Sequence, residues 1–181
     1  MKITSKNLVI DADIARASGG GGATHPTAMA SRNFLQAVLT ICHKVVMTAT
    51  IQEEWNNHQS SFARKWRRSM VAKRKLVVFT PSQREDIRQG IGQQGVSDSK
   101  KTAMLKDCHL IEAALATNLC VISLDDTAKN LFSAMIISIA DLRTVLWVNP
   151  VREHEEVIGW LKNGAPAEGA RGQQWRLGNH A

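Results

Sequence analysis

Strands alternating with helices predict an α/β fold, a three-layer α/β/α sandwich around a central parallel sheet of about five strands. Three observations carry this prediction. Short apolar runs recur at residues 8–10, 45–47, 76–79, 120–124 and 135–139. The segments between them hold apolar residues at helical spacing. Two of the runs, 8–10 and 120–124, end directly in pairs of acids, Asp11 with Asp13 and Asp125 with Asp126. Those acids mark the C-terminal sheet edge, where ligands bind in open α/β folds.

In chain order, residues 8–10 read as a buried central strand, because an apolar run bounded by polar residues has no polar face to show to water. Residues 17–24 follow as a glycine-rich loop, expected to form a mobile flap. Pro26 suits the first turn of a helix running to about residue 41. After the strand at 45–47, Thr48 or Thr50 can cap a helix to about residue 70, with Ile51, Trp55, Phe62, Trp66 and Met70 in register. A third strand at 76–79 is closed by Thr80-Pro81, and a polar helix covers 82–89. Residues 90–99 read as a loop, 104–118 as a strongly apolar helix, and 120–124 as the fourth strand. A short helix at 127–134 precedes a fifth strand at 135–139. Residues 147–150 and a helix at 153–162 are expected on the rim. Residues 1–163 therefore form one domain, and 164–181, rich in Gly, Ala, Arg and Gln, a loosely held tail.

Composition narrows the class. With 181 residues, 44% hydrophobic and 22% charged, the chain can bury one good core. Cys42, Cys108 and Cys120 form no CxxC pair, which speaks against zinc knuckles and disulfide frameworks and for a reducing cytoplasm. No apolar run is long enough to span a membrane, and no signal-peptide pattern opens the sequence. The net charge of +7 is concentrated: residues 64–75 hold seven Lys or Arg and no acid. A basic segment on a near-neutral body points to a polyanion, nucleic acid before membrane.

Four carboxylates stand out. Asp11 ends the first strand. Asp107 lies on the apolar stripe of its helix with Met104, Leu110, Ile111, Ala114 and Leu115, a costly position for a charge unless it is paired or binds metal. The alternative is a helix starting later, with Asp107 as its cap. Glu112 falls toward the polar rim of the same helix. Of Asp125 and Asp126, Asp125 comes first after its strand and is the inward candidate, the other being a helix cap. Glu54 borders the stripe of Ile51 and Trp55 while Glu53 points away, although the helix dipole alone favours acids in a first turn. Acids gathered this closely repel one another unless a cation neutralises them, and an oxygen-only set suits Mg²⁺ or Mn²⁺.

The segments LVIDADI, IQEEW, DCHLIEAAL and CVISLDD, in this order and spacing, resemble the acidic motifs of PIN-domain ribonucleases across roughly residues 7–140. The resemblance implies a PIN-like three-layer fold and Mg²⁺- or Mn²⁺-dependent cleavage of single-stranded RNA. It puts Asp11, Glu54, Asp107 and Asp125 at the family's catalytic, metal-binding positions and Ser123 at its usual hydroxyl position. Asp13 and Asp126 are secondary members. The chain departs from the family at Ala12, commonly a hydroxyl residue there, and at Asp13, often Asn. A toxin role with an antitoxin partner is what the resemblance allows, and a homodimer is compatible with the chain.

Two other readings compete. Asp11-Ala12-Asp13 also resembles the DxD motif of haloacid dehalogenase-like phosphatases, with Asp11 as nucleophile, Asp13 as general acid, and Lys100, Lys101 or Lys106 as phosphate-binding cation. That reading leaves Asp107 without a role and finds Ile14 where Thr or Val is usual. A catalytically weak RNA-binding module is the third reading, resting on Ala12. Residues 90–95 match GxGxxG but follow a polar helix instead of a strand, and are rejected as a dinucleotide site. The histidines show no paired-ligand spacing and are treated as ordinary. Arg64, Arg67 and Arg68 are expected to bind RNA phosphates, while Trp66 belongs to the apolar stripe.

Overall fold

The first strand, β1 (Asn7–Ile10), buries Leu8, Val9 and Ile10 completely, as expected of a strand covered on both faces. The computed structural model describes residues 4–179, the side chain of Arg171 excepted. From β1 the chain makes α1 (Ala12–Ala17), α2 (Pro26–Thr40), β2 (Lys44–Met47), α3 (Ala49–His58), α4 (Ser61–Ala72) and β3 (Leu76–Val78). It continues through α5 (Glu85–Gln93), α6 (Asp98–Leu115), β4 (Cys120–Ile122) and α7 (Asp126–Ser133). A 3-10 turn (Ala140–Thr144), β5 (Leu146–Val148), α8 (His154–Lys162) and α9 (Ala170–Gln174) complete it. All five strands pair in parallel in the order β3-β2-β1-β4-β5, with helices on both faces, so the three-layer α/β/α sandwich holds.

That order determines where a site can form. β1, β2 and β3 grow the sheet in one direction, and β4 then crosses back to the other side of β1. The reversal between β1 and β4 opens a crevice beyond their C-terminal ends. Local chemistry anchors this end of the sheet: Asp11 N donates to Ile122 O at 2.9 Å, and the Trp55 indole N–H of α3 donates to Ile10 O at 3.0 Å. Trp55 is fully buried and stacks on Trp66 of α4 with ring centroids 5.7 Å apart. Trp66 donates to Leu35 O at 2.6 Å, which confirms it as a core residue.

Several expected boundaries shift. The single helix foreseen to residue 70 is two, because Gln59 turns to an extended conformation and the Ser60 side chain accepts from Ala63 N at 3.1 Å, capping α4. The foreseen loop at 90–99 is largely helical, since α5 runs to Gln93 and α6 begins at Asp98. Residues 135–139 form no strand. Ser138 N and Ile139 N both return to Met135 O, making a tight turn that leaves Ile137 87% exposed, and β5 lies further on at Leu146–Val148. A short apolar run carries no periodicity that separates a strand from a half-buried turn. The glycine-rich loop, expected as a mobile flap, is clasped by Arg32 of α2, which donates to the carbonyls of Gly20, Gly21 and Ala23.

The segment after residue 163, expected to hang loosely, packs through residue 179. Trp147 N donates to Trp175 O at 2.8 Å and Leu177 N to Val145 O at 3.0 Å, with an antiparallel bridge between Leu146 and Arg176. Trp175 and Leu177 are buried, and Trp175 meets Trp160 of α8 edge-on at 5.2 Å. The segment covers the outer edge of β5, an edge that would otherwise offer unpaired backbone groups.

Candidate active site

At the crevice lies a cleft of about 710 Å³ whose lining includes Asp11, Asp13, Glu54, Asp107, Asp125 and Asp126, together with Arg16, Lys106, Thr127 and Arg152. All four principal acids read from the sequence are in this lining.

Asp11 follows β1 and serves two neighbours. One carboxylate oxygen accepts from Asp13 N at 3.3 Å, capping α1, and the other lies 2.9 Å from the Ser123 hydroxyl. The same residue therefore serves both as helix cap and as cleft acid. Ser123, fully buried, accepts from Asp125 N at 3.0 Å, and its hydroxyl is also 2.9 Å from Asp13 Oδ2. A hydroxyl has one proton, so it donates to Asp11 or to Asp13 at any moment and couples the two. Asp13 Oδ2 also accepts from Leu124 N at 2.7 Å, while its Oδ1 is buried with no partner. Burial first, and the Asp11 charge second, push the Asp13 carboxyl up to about 8, so it holds a proton at neutral pH. Asp13 thus ties the β1 and β4 ends together as a largely neutral group.

Asp107 projects from α6 and is half-buried. Burial, followed by the charges of Asp11 and Asp125, raises it to about 6, with Lys106 and His109 acting in the opposite direction. Asp107 therefore senses carboxylates from both flanking strand ends. Contrary to the expectation of an inward Asp125 and a capping Asp126, Asp125 is exposed and is itself the cap of α7, accepting from Ala128 N at 2.8 Å, because the helix begins at Asp126. Asp126 is committed elsewhere: its Oδ2 lies 2.7 Å from Arg152 Nε and accepts from Asn149 Nδ2 at 3.1 Å.

Glu54 enters from α3, where Trp55 fixes the approach of the helix to β1. Its Oε2 stands 3.2 Å from Nε2 of His109, within ion-pair range but outside hydrogen-bond geometry. His109 is 8% exposed, with Nδ1 2.7 Å from Lys106 O. It was passed over in the sequence as ordinary. No local signal marks it, since positions two apart on a helix point about 200° away from each other, and only the packing of α3 against α6 brings His109 to Glu54. Glu112, expected at the polar rim, is instead buried. It accepts from Nε and Nη2 of Arg88, each at 2.9 Å, and from the Arg84 backbone N–H at 2.9 Å, because α5 covers that side of α6.

The basic residues divide differently from the expectation. Arg64 and Arg68 are exposed on α4, and Arg67 donates to Asn56 Oδ1 at 2.7 Å. None of the three lines the cleft. Lys75, from the same run, is buried and donates to the carbonyls of Val38, Leu39 and Ile41, closing the C-terminal end of α2. Of the lysines a phosphatase would use, Lys106 lines the cleft, while Lys101 donates to Gly92 O at 2.9 Å and, like Lys100, lies outside it.

Among the described residues, no three His, Cys, Asp or Glu side chains stand close enough to clasp a metal ion directly. The donor chemistry nevertheless fits a hard cation. The acids offer oxygen only, their mutual repulsion is visible at Asp107, and Mg²⁺ keeps several waters through which separated carboxylates can hold it. No protein-family model matches this chain, and neither curated proteins nor solved structures match it. Among the described residues no helix is long and apolar enough to cross a membrane.

Proposed function

We propose that this protein is a Mg²⁺- or Mn²⁺-dependent endoribonuclease acting on single-stranded RNA in the cytoplasm. The observation that carries the reading is the convergence of Asp11, Glu54, Asp107 and Asp125, from four separate elements, on one cleft at the sheet's reversal point. In this reading those four residues would hold the cation together through its bound waters. When bound, such an ion activates water and stabilises an in-line displacement at phosphorus. Ser123 and Asp13 keep Asp11 oriented, and His109 of α6 stands beside Glu54. A toxin role, with an antitoxin protein as partner, belongs to the same reading.

The test is incubation of the purified protein with unstructured RNA in Mn²⁺ or Mg²⁺, with EDTA as control. Cleavage with either metal that stops in EDTA and is lost in Asp107→Asn supports the proposal. Metal-dependent hydrolysis of an aryl phosphate with intact RNA would favour the phosphatase, and RNA binding without turnover the non-catalytic module.

A further inference from the structure

An acidic cleft repels the backbone of its own substrate unless cations stand beside the acids, and the basic run on α4 does not reach this cleft. Three cationic side chains do. Arg16 comes from the last turn of α1, Lys106 from α6 next to Asp107, and Arg152 from the segment between β5 and α8. Arg152 is paired with Asp126 at 2.7 Å. Arg16 and Lys106 differ from it: among the described residues neither side chain makes a hydrogen bond or an ion pair, although six carboxylates share the cleft with them. They are exposed, on different elements, and border the acidic floor.

We infer that Arg16 and Lys106 form a phosphate-binding rim that seats consecutive phosphodiesters of a single strand across the carboxylate cluster. The inference rests on the ribonuclease reading above and names its substrate contacts. Two unpaired cations on separate elements can each take a phosphate of an extended polyanion, whereas a phosphomonoester offers one charged group to both. Arg can hold phosphate oxygens in pairs while Lys acts as a point charge, so Arg16 orients the strand and Lys106 draws it toward Asp107. The α4 arginines then serve as an outer electrostatic surface that raises encounter and affinity.

The test compares wild type, the double variant Arg16→Gln/Lys106→Gln and the triple variant Arg64→Gln/Arg67→Gln/Arg68→Gln. Binding of a fluorescent single-stranded oligoribonucleotide is measured in EDTA over a range of salt, and Mn²⁺ binding separately by electron paramagnetic resonance. In the double variant the slope of log affinity against log salt should fall by roughly 1.4, about 0.7 per phosphate contact. Its cleavage in Mn²⁺ should drop, and Mn²⁺ should bind no more weakly than in wild type. Unchanged melting temperature and circular dichroism verify the fold, as expected for two exposed side chains. An unchanged salt slope in the double variant, or a loss confined to the α4 triple variant, overturns the inference. If wild type itself neither binds nor cuts RNA with either metal, it is the ribonuclease reading that fails.

Discussion

Asp13 and Asp107 are carboxyl groups whose environment favours the proton. Both have an ordinary value of 3.8, and the fold raises them to about 8 and about 6 respectively. The native chain then binds more protons than the unfolded chain between about pH 4 and pH 8. Stability of the metal-free protein should fall as pH rises through that window. The penalty is absent below about pH 4 and complete above about pH 8. Asp107→Asn removes the part that develops between pH 4 and 6, on the order of 1–3 kcal/mol once solvent screening is allowed for. Melting curves in EDTA at pH 5 and 8 check this, and added Mn²⁺ should offset the loss at the higher pH. Asp11→Asn and Asp107→Asn should both abolish RNA cleavage and weaken Mn²⁺ binding, yet melt no lower than wild type in EDTA at pH 7.5. A variant that loses activity by unfolding would show the opposite. Glu53→Gln, on an exposed side chain outside the cleft, should leave cleavage intact.

Between elements, the contact with most at stake is the clasp of α5 on α6. Glu112 is 4% exposed and accepts from Arg88 and from the Arg84 backbone, so its removal strands an arginine and an amide together. Glu112→Ala should cost about 2–4 kcal/mol, read by urea denaturation, because breaking a buried ion pair from one side leaves the other charge uncompensated. Cleavage per folded molecule should be retained, since Glu112 does not line the cleft. On α4, the exposed face carries Arg64 and Arg68 while Ala63, Trp66 and Met70 face inward. Replacing Arg64, Arg67 and Arg68 with Gln should raise the RNA dissociation constant and lower the salt slope by up to about 2. The cleavage pattern should not change, because phosphate contacts position a strand without reading its bases. A gel comparing the products of the two proteins decides that point.

For the whole molecule, the segment from residue 164 is part of the fold. It protects the β5 edge and buries Trp175 and Leu177 against β5 and α8. Burying each such side chain is worth about 1.5–3 kcal/mol. Deleting residues 164–181 should therefore lower the melting temperature by on the order of 10 °C. A truncated protein that melts like the full chain would show that β5 does not need this cover. The segment packs on the outer edge of β5 and none of its residues lines the cleft, so activity should persist below the lowered transition.

The sequence by itself determined the α/β class, the first four strands and the four carboxylates. Each rests on a pattern complete within a short window: an apolar run bounded by polar residues, ending in acids at 8–10 and 120–124, or an acid in or beside an apolar stripe. It also indicated Trp66 as a core residue, because helical spacing with Phe62 and Met70 is local. Tertiary structure decided the rest. The break at Ser60, the turn at 135–139 and the true β5 depend on what packs against them, since a run of three to five apolar residues has no period of its own to read. Glu112 looked solvated because a helix projection cannot show that α5 will cover it. Lys75 reads as part of the basic run at 64–75, and only the packing of α2 shows it buried under three carbonyls. The sheet order lies outside any one window as well. It brings residues far apart in the chain, Asp11, Glu54, Asp107 and Asp125, to one crevice, and it leaves Arg16 and Lys106, not the conspicuous basic helix, beside them.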